Sequence, residues 1–573
     1  MPRSSEDTAE PSLTVRVRRE WGKFRTRGRT AAMTSAILVT VLLGVLSAIA
    51  TSLGTSCTAG TVEVPCPADP AGPHGRAVSD TSYLVHRPLG RNGEITVRLT
   101  SMTGIITYPP PGHDEIVPGL VPWAKAGVII KDGTARGSSY AALMLTGAHG
   151  VRMQHDYVHD TAGRPGGVSP RAPRWLRLTR SGDTVTGHES ADGTRWAKVG
   201  TARLPALPET VRVGLFVASP GDLTLTRVGL GASLPESRFT QATAVFDHVS
   251  VRGGTSTGGW SHGSVGEMGH TDWERHHRPP GLVESDGTFT VTGTGDIGPV
   301  GTGVGHAVEG SLAGLVVGLV IVMVVAVRFM TTEYRPGPAG GAPGDVTGGA
   351  ADGMTGGMTG GATGDVTGGM TGGATGDVTG GTAGDVRGGA SGGAAPAFRT
   401  AVAKAVVTAA VTFAAGLVAA AVVVAAGPRI LRAGGAGVLP VPLLTELRVV
   451  AGAAALLAVA AVLALALGAL LRRTWAAILV AISAVVLPYL LAVLPILPDD
   501  VARWLLRLTP AAGFAVYRTA REYPQVVAHY APSAGYPPLP WWAGFGVLCG
   551  YAVAVLALVR LRSHRRDGER SPR

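Results

Sequence analysis

This chain of 573 residues is short of charge, aromatics and cysteine: Asp, Glu, Lys and Arg make up 16%, Phe, Trp and Tyr 5%, and only three cysteines occur. Three thiols cannot build a disulfide-dense scaffold, and no Cys/His cluster has zinc-site spacing. No G-x-x-x-x-G-K-[ST] is present, so the chain lacks the loop that would cradle ATP phosphates for hydrolysis. Lysine is confined to Lys23, Lys125, Lys131, Lys198 and Lys404 against abundant Arg, Ala and Gly, a composition of GC-rich bacterial genomes. Charge is missing altogether from six long apolar runs: Ala31 to Leu53, Ser311 to Val327, Ala405 to Ala426, Val449 to Leu471, Trp475 to Leu497 and Trp541 to Val559.

Each run approaches the roughly 20 residues a helix needs to cross ~30 Å of hydrocarbon. Lipid offers the backbone no hydrogen-bond partner, so each span must be helical. The expected organisation is a cytoplasmic basic segment over 1–30, spans over 31–53, 311–330, 401–427, 449–471, 474–497 and 541–560, and a tail over 561–573. An extracytoplasmic region over 54–310, a cytoplasmic loop over 331–400 and an extracytoplasmic loop over 498–540 connect them. Arg16, Arg18, Arg19, Lys23, Arg25, Arg27 and Arg29 before the first span, with Arg560, Arg562, Arg565, Arg566, Arg570 and Arg573 after the last, put both termini in the cytoplasm. Arg328, Arg335, Arg399, Lys404, Arg472 and Arg473 fall on the same side. Arg429, Arg432, Arg448, Arg503, Arg507, Arg518 and Arg521 fall in the predicted outside loops, where this rule gives them no reason to be. The net charge of +11 and pI near 9.9 therefore speak for topology and anionic lipid rather than nucleic acid. The first apolar run exceeds a signal-peptide core, which predicts an uncleaved anchor.

Cys57 and Cys66, with eight residues between them, are a candidate disulfide outside the membrane, and Cys549 reads as a small hydrophobe within the last span. No charge in the six cores marks an ion path or proton relay. Ala and Gly in the third and fourth spans permit close packing, and Pro488 and Pro495 predict kinks in the fifth.

The outside region alternates like β structure: Glu94 to Leu99, Ala126 to Lys131, Tyr140 to Leu145, Trp175 to Thr179, Val211 to Ala218 and Thr243 to Val249 recur between turn residues. Two packed antiparallel sheets are expected. The order of "WAKAGVIIKDG", "YAALMLT", "PRWLRLTRSGDTVTGHESADGTRWAKVG", "VRVGLFVAS" and "AVFDHVSV" resembles concanavalin-like jelly-roll domains over about 81–253. Such domains often bind carbohydrate, which makes Trp123, Trp175 and Trp196 candidates for stacking on a glycan, with burial in the sandwich as the alternative. No strand carries the closely spaced acids of a glycosidase, so no catalytic residues are expected. His155, Asp156, His159 and Asp160 form a polar cluster read as a solvated loop, with a cation site as the alternative. Gly287 to Val300 predicts a further strand pair leading back to the membrane.

Over 336–395, Gly-Asp-Val-Thr-Gly-Gly recurs with a twelve-residue period. Glycine at this density carries a high ordering entropy and almost no large apolar group offsets it, so a disordered insert is expected.

"RREWGKFRTRGRT" at Arg18 to Thr30, "RFMTTEYRPG" at Arg328 to Gly337, "AVAKAVV" at Ala401 to Val407 and "ALGALLRRTWAAI" at Ala466 to Ile478 resemble, in order and spacing, the permeases of six-helix (type-2) ATP-binding-cassette exporters. The resemblance implies a membrane-spanning subunit, itself non-catalytic and without cofactor, driven by a separate ATP-binding subunit that carries ATP and Mg. It also implies a permease homodimer or heterodimer. Glu333, Tyr334, Arg335, Arg472 and Arg473 match the segments expected to meet that ATPase, with interfacial anchoring as the alternative role. The Gly-rich repeat between Arg335 and Lys404 departs from the family pattern. The competing expectation is a membrane receptor or surface glycan-binding protein acting through the jelly roll.

Overall fold

The computed structural model describes residues 12–53, 57–59, 62–64, 70–107, 115–253, 259–266, 279–300, 308–334, 394–434, 438–439, 441–519 and 521–568. Most of the repeat over 336–395 lies outside them, as do Cys66, the side chain of Cys57, Arg335 and the side chain of Tyr334.

Eight α-helices are described: α1 (Leu13–Phe24), α2 (Arg27–Leu53), α3 (Leu315–Thr331), α4 (Ala394–Ala433), α5 (Leu443–Leu471), α6 (Thr474–Val493), α7 (Asp499–Leu508) and α8 (Trp541–Gly568). Six helical segments are long and apolar enough to cross a membrane: Arg27–Leu53, Leu312–Thr331, Phe398–Ala433, Leu443–Leu471, Thr474–Val493 and Trp541–Arg565. One precedes the strand-rich region and five follow it. Several helices outrun their apolar cores, because Ala, Leu and Arg at the ends favour helix as strongly as the interior does. The fifth span is the exception: α6 ends at Val493, so Pro488 lies inside the helix and Pro495 beyond it. The segment over 498–540 contains α7, which the sequence did not reveal, and a 3₁₀ segment, Pro510–Tyr517.

Helix α5 is the hub and touches α3, α4, α6 and α8. Contact between α2 and α3 is made by small residues. The buried positions of α2 include Ala36, Thr40, Gly44 and Ala48, one every four residues; the first three meet Gly314 and Gly318, and Ala48 packs against Leu431. A Cβ on Gly314 would stand 2.5 Å from the Thr40 carbonyl oxygen, and one on Gly318 2.1 Å from Thr40 Oγ1. Only glycine admits so close a backbone approach.

The 21 strands among the described residues are numbered β1 to β21 along the chain. One seven-stranded sheet runs β10 (His159–Ala162), β9 (Val151–His155), β8 (Tyr140–Thr146), β7 (Lys125–Lys131), β14 (Val211–Ala218), β4 (Ser82–Leu89), β18 (Ser261–Val265). The facing sheet runs β13 (Ala197–Arg203), β12 (Thr184–Ser190), β11 (Arg174–Ser181), β5 (Asn92–Thr107), β17 (Thr240–Arg252), β20 (Thr288–Gly293), β19 (Gly281–Ser285), with β6 (Ile116–Pro118) on β5. All neighbours in both sheets are antiparallel, and every strand expected from alternation falls within one of these. Val97, Leu99, Leu176, Leu178 and Phe246 from one sheet share a core with Val128, Ile130, Leu143 and Leu215 from the other, the signature of a β-sandwich.

The seven-stranded sheet is covered on its second face too. Leu84, Ile129, Tyr140 and Phe216 pack there against Val78, Tyr157, Val265 and Ile297. Val78 and Ile297 belong to β3 (Val78–Asp80) and β21 (Ile297–Pro299), which pair with each other and are the incoming and outgoing strands of the domain. Two buried ion pairs hold them: Lys131 Nζ is 2.7 Å from Asp80 Oδ2, and Lys125 Nζ is 2.6 Å from Asp296 Oδ1. Burial lowers the Lys131 pKa even though Asp80 opposes the shift. Tyr157 donates to Asp80 at 2.8 Å, and burial beside that carboxylate raises its pKa far above the usual tyrosine value. The same side of the sandwich meets the helices. Gln525 donates to the Val158 carbonyl at 3.3 Å, and Arg76 reaches the Tyr523 hydroxyl at 3.4 Å.

Candidate functional site

Four segments far apart in sequence come together at the end of the bundle away from the sandwich. Lys404, in the third turn of α4 just before its apolar run, is 1% exposed, and Glu20 on α1 is 3% exposed. Lys404 Nζ lies 2.9 Å from Glu333 Oε1 and 3.9 Å from Glu20 Oε2. It also donates to the Phe329 carbonyl at 3.0 Å. Lys23 closes the group, 2.6 Å from Glu20 and 3.8 Å from Glu333. Each carboxylate faces a cation, so the buried Lys404 and Glu20 do not stand as isolated charges, and Lys23 and Glu333 complete the group at the solvent edge. Glu20 Oε2 has no hydrogen bond in this arrangement, so the ion pair alone holds it.

An aromatic floor lies beneath. The Phe24 and Phe329 rings meet edge to face at 5.2 Å, and the Phe329 ring sees Lys404 Nζ at 4.6 Å and the Arg29 guanidinium at 4.7 Å. Cation–π contact at this range supplements the ion pairs. The α1 helix is therefore fastened by its one acid and by Phe24, while Arg18 and Arg19 are exposed.

The two-residue turn between α5 and α6 is at the same end. Thr474 Oγ1 donates to Thr331 Oγ1 at 3.0 Å, tying the turn to the end of α3, and Arg562 donates to the Leu470 carbonyl at 2.9 Å. Arg472 caps α5 in the left-handed region, with φ 56°, and its N–H donates to the Gly468 carbonyl. Arg473 opens α6 and is exposed. Of the residues expected to meet an ATPase, Glu333 is thus engaged within the protein, Arg472 and Arg473 stand on an exposed turn beside it, and Tyr334 and Arg335 lie outside the described side chains. Glu20 was not distinguished by the sequence, although it is the one acid in an otherwise basic amphipathic helix; that is the signal that finds it.

The three tryptophans do not form a site together. Trp123 is 8% exposed and stacks on His149 at 4.0 Å, so burial in the sandwich accounts for it. Trp175 and Trp196 are half-buried at the open face of the sheet containing β11, where the Arg98 guanidinium lies 5.8 Å from the Trp175 ring and that of Arg177 3.9 Å from the Trp196 ring. Arg98 is clamped by Asp247 at 2.6 Å through two nitrogens, and that pairing holds the Asp247 carboxyl below its ordinary pKa. The His155 and His159 rings stack at 4.4 Å, and among the described residues no group of His, Cys, Asp and Glu could hold a metal ion.

No family model and no curated protein matches this chain. Among solved structures, a functionally unknown protein from Saccharomyces cerevisiae aligns at 13% identity over 30% of this chain and 74% of that one, with a TM-score of 0.19. Scytalido-glutamic peptidase with a transition state analog inhibitor aligns at 10% identity over 37% of this chain and 98% of that one, with a TM-score of 0.24. At such scores neither likeness carries an inference, and the reading of this chain stands on its own residues.

Proposed function

We propose that the chain is the permease subunit of an ATP-driven exporter. In this reading six spans cross a bacterial plasma membrane with both termini cytoplasmic, and a jelly-roll domain stands outside between the first two. A separate ATP-binding subunit supplies the energy, and the subunit itself is non-catalytic.

The observation that carries the proposal is the convergence of the four motif-bearing segments at one end of the bundle. Glu333 and Lys404 flank the whole Gly-rich insert yet sit 2.9 Å apart, so the insert leaves the coupling end closed. A docking ATPase would meet Arg472 and Arg473 on the exposed turn and, through Glu333, push on α1, α3 and α4 together. The small-residue contact of α2 with α3 suits spans that shift as packed bodies. Exposed Leu38, Leu42 and Leu46 on α2 and Trp475 and Leu479 on α6 suit contact with lipid or a second permease copy.

The test is retention of a cassette ATPase when the full-length chain is purified from its own membranes in mild detergent, with ATP turnover that changes when Arg473 is replaced by Glu. A chain that retains no ATPase, in cells whose phenotype is unchanged when the neighbouring ATPase gene is deleted, would sink the transporter reading. A glycan array probed with the same preparation tests the receptor reading, which requires binding that is lost in Trp175→Ala or Trp196→Ala.

A further inference from the structure

Three of the seven outside arginines that the positive-inside rule leaves unexplained converge. Arg448 from α5, with Arg518 and Arg521 from the segment after the 3₁₀ turn, meets Arg76 from the incoming arm of the sandwich around a cavity of about 570 Å³. No Asp or Glu is among the described residues lining it. The N-terminal ends of two long helices, α5 at Leu444 and α8 at Trp541, also line this cavity, and their dipoles add positive potential there. Three of the four guanidinium groups are held in place, and Arg521 stands exposed at the rim. Arg448 donates to the Arg518 carbonyl and lies 5.4 Å from the Trp541 ring, Arg76 is on Tyr523, and Arg518 is 3.3 Å from Glu522. Leu439, Val441 and Leu444 add apolar surface to its lining.

Arg518 is also part of the lining of a second cavity, about 240 Å³, walled by Tyr489, Val493, Leu506 and Phe514. Two hydroxyls in its lining, Tyr517 Oη and Ser533 Oγ, are buried with no hydrogen-bond partner. Tyr517 is 6% exposed. A buried hydroxyl left unsatisfied costs free energy that a ligand acceptor would recover.

We infer that the two cavities form one binding site for an anionic amphiphile, whose charged head sits among Arg76, Arg448, Arg518 and Arg521 while an ester-linked apolar chain enters the smaller cavity and accepts hydrogen bonds from Tyr517 and Ser533. Guanidinium groups supply bidentate donors to phosphate or carboxylate. The apolar walls select against a free anion, and the arginines select against an uncharged lipid. The site lies between the sandwich and the outer helix ends, so a bound molecule would touch both. The inference rests on the cavities alone and holds whether the chain transports or only binds.

The experiment uses the full-length chain in a nonionic detergent, with phosphatidylglycerol, inorganic phosphate and diacylglycerol as three separate probes, read by native mass spectrometry and by thermal shift. Phosphatidylglycerol is expected to remain bound and raise the melting temperature, while the other two do neither at the same concentration. Arg521→Gln and Arg76→Gln should each weaken phosphatidylglycerol binding about tenfold, the loss of one charge-assisted hydrogen bond. Tyr517→Phe should weaken it less while leaving the preference for the anionic head intact. Equal binding of inorganic phosphate would overturn the amphiphile, and equal binding of diacylglycerol would overturn the anionic head. Undiminished phosphatidylglycerol binding by Arg76→Gln/Arg521→Gln protein that melts like the parent would place the lipid elsewhere and overturn the site.

Discussion

The two ends of the helical bundle spend charge in opposite ways. At the end away from the sandwich, Lys404 and Lys23 face Glu20 and Glu333 in a small compensated cluster whose inner pair, Lys404 and Glu20, is buried and whose outer pair meets solvent. At the other end, four arginines line a cavity with no carboxylate among its described lining residues, one of them paired with Glu522 behind it, and a neighbouring pocket holds two unsatisfied hydroxyls. A compensated cluster has already spent its electrostatic energy inside the protein and acts as a fastener. A cavity rich in one sign of charge keeps that energy for something that arrives.

The comparison can be broken first at the fastener. Lys404→Met strands Glu333 and weakens the hold on Glu20, and removing one partner of a buried pair typically costs about 3–5 kcal/mol. The full-length variant should melt well below the parent, and adding Glu333→Gln should restore part of the loss. An unchanged melting curve would mean that the cluster fastens nothing.

Next in size is the α2–α3 contact. In Gly318→Leu the new side chain collides with Thr40, and overpacking of this kind costs about 1–3 kcal/mol. Cross-linking between engineered cysteines on α2 and α3 should fall with it. If the variant cross-links and melts like the parent, the close approach of these helices is not what orders them.

The sandwich sharpens the contrast through pH. Burial and neighbouring charge lower the pKa values of His86 and His155 below the ordinary 6.5 of histidine. The unfolded chain then binds protons that the folded one refuses, so stability is full above 6.5 and falls as pH drops through it toward the lowered folded values. Melting followed from pH 8 to 5 should show this loss, and His155→Gln should reduce it. Asp247 works at lower pH. Its depressed pKa contributes stability above the ordinary 3.8 that disappears as acid protonates it in the fold.

The smallest expected effect on stability is at the exposed turn. Arg473→Ala should change melting by less than about 0.5 kcal/mol while lowering any ATP turnover coupled to the chain. A large stability loss there would make Arg473 a structural anchor instead.

Local pattern made the strands and spans legible. Alternation in Trp175 to Thr179 reports which residues face the core, and a charge-free run of twenty reports a helix for lipid. What stayed hidden involved partners distant in sequence. Lys125, Lys131, Asp80 and Asp296 look like ordinary surface charge until the incoming and outgoing strands bring them together. Trp123 could be read as a sugar platform or as core, because an indole serves both, and only its packing on His149 decides. Pro495 lay inside the apolar run, yet α6 stops before it, since hydropathy marks where lipid begins more sharply than where a helix ends.

The chain's composition and periodicity alone determined six apolar helical segments, a sandwich of alternating strands and a bias of arginine toward the helix ends. These are properties of neighbouring residues, set by lipid, by water and by backbone geometry. The tertiary structure decided that Glu20, Glu333 and Lys404 form one fastener across the Gly-rich insert, and that Arg76, Arg448, Arg518 and Arg521 share one cavity. Charges act over ångströms of space, and no spacing along the sequence says which of them will be brought within that reach.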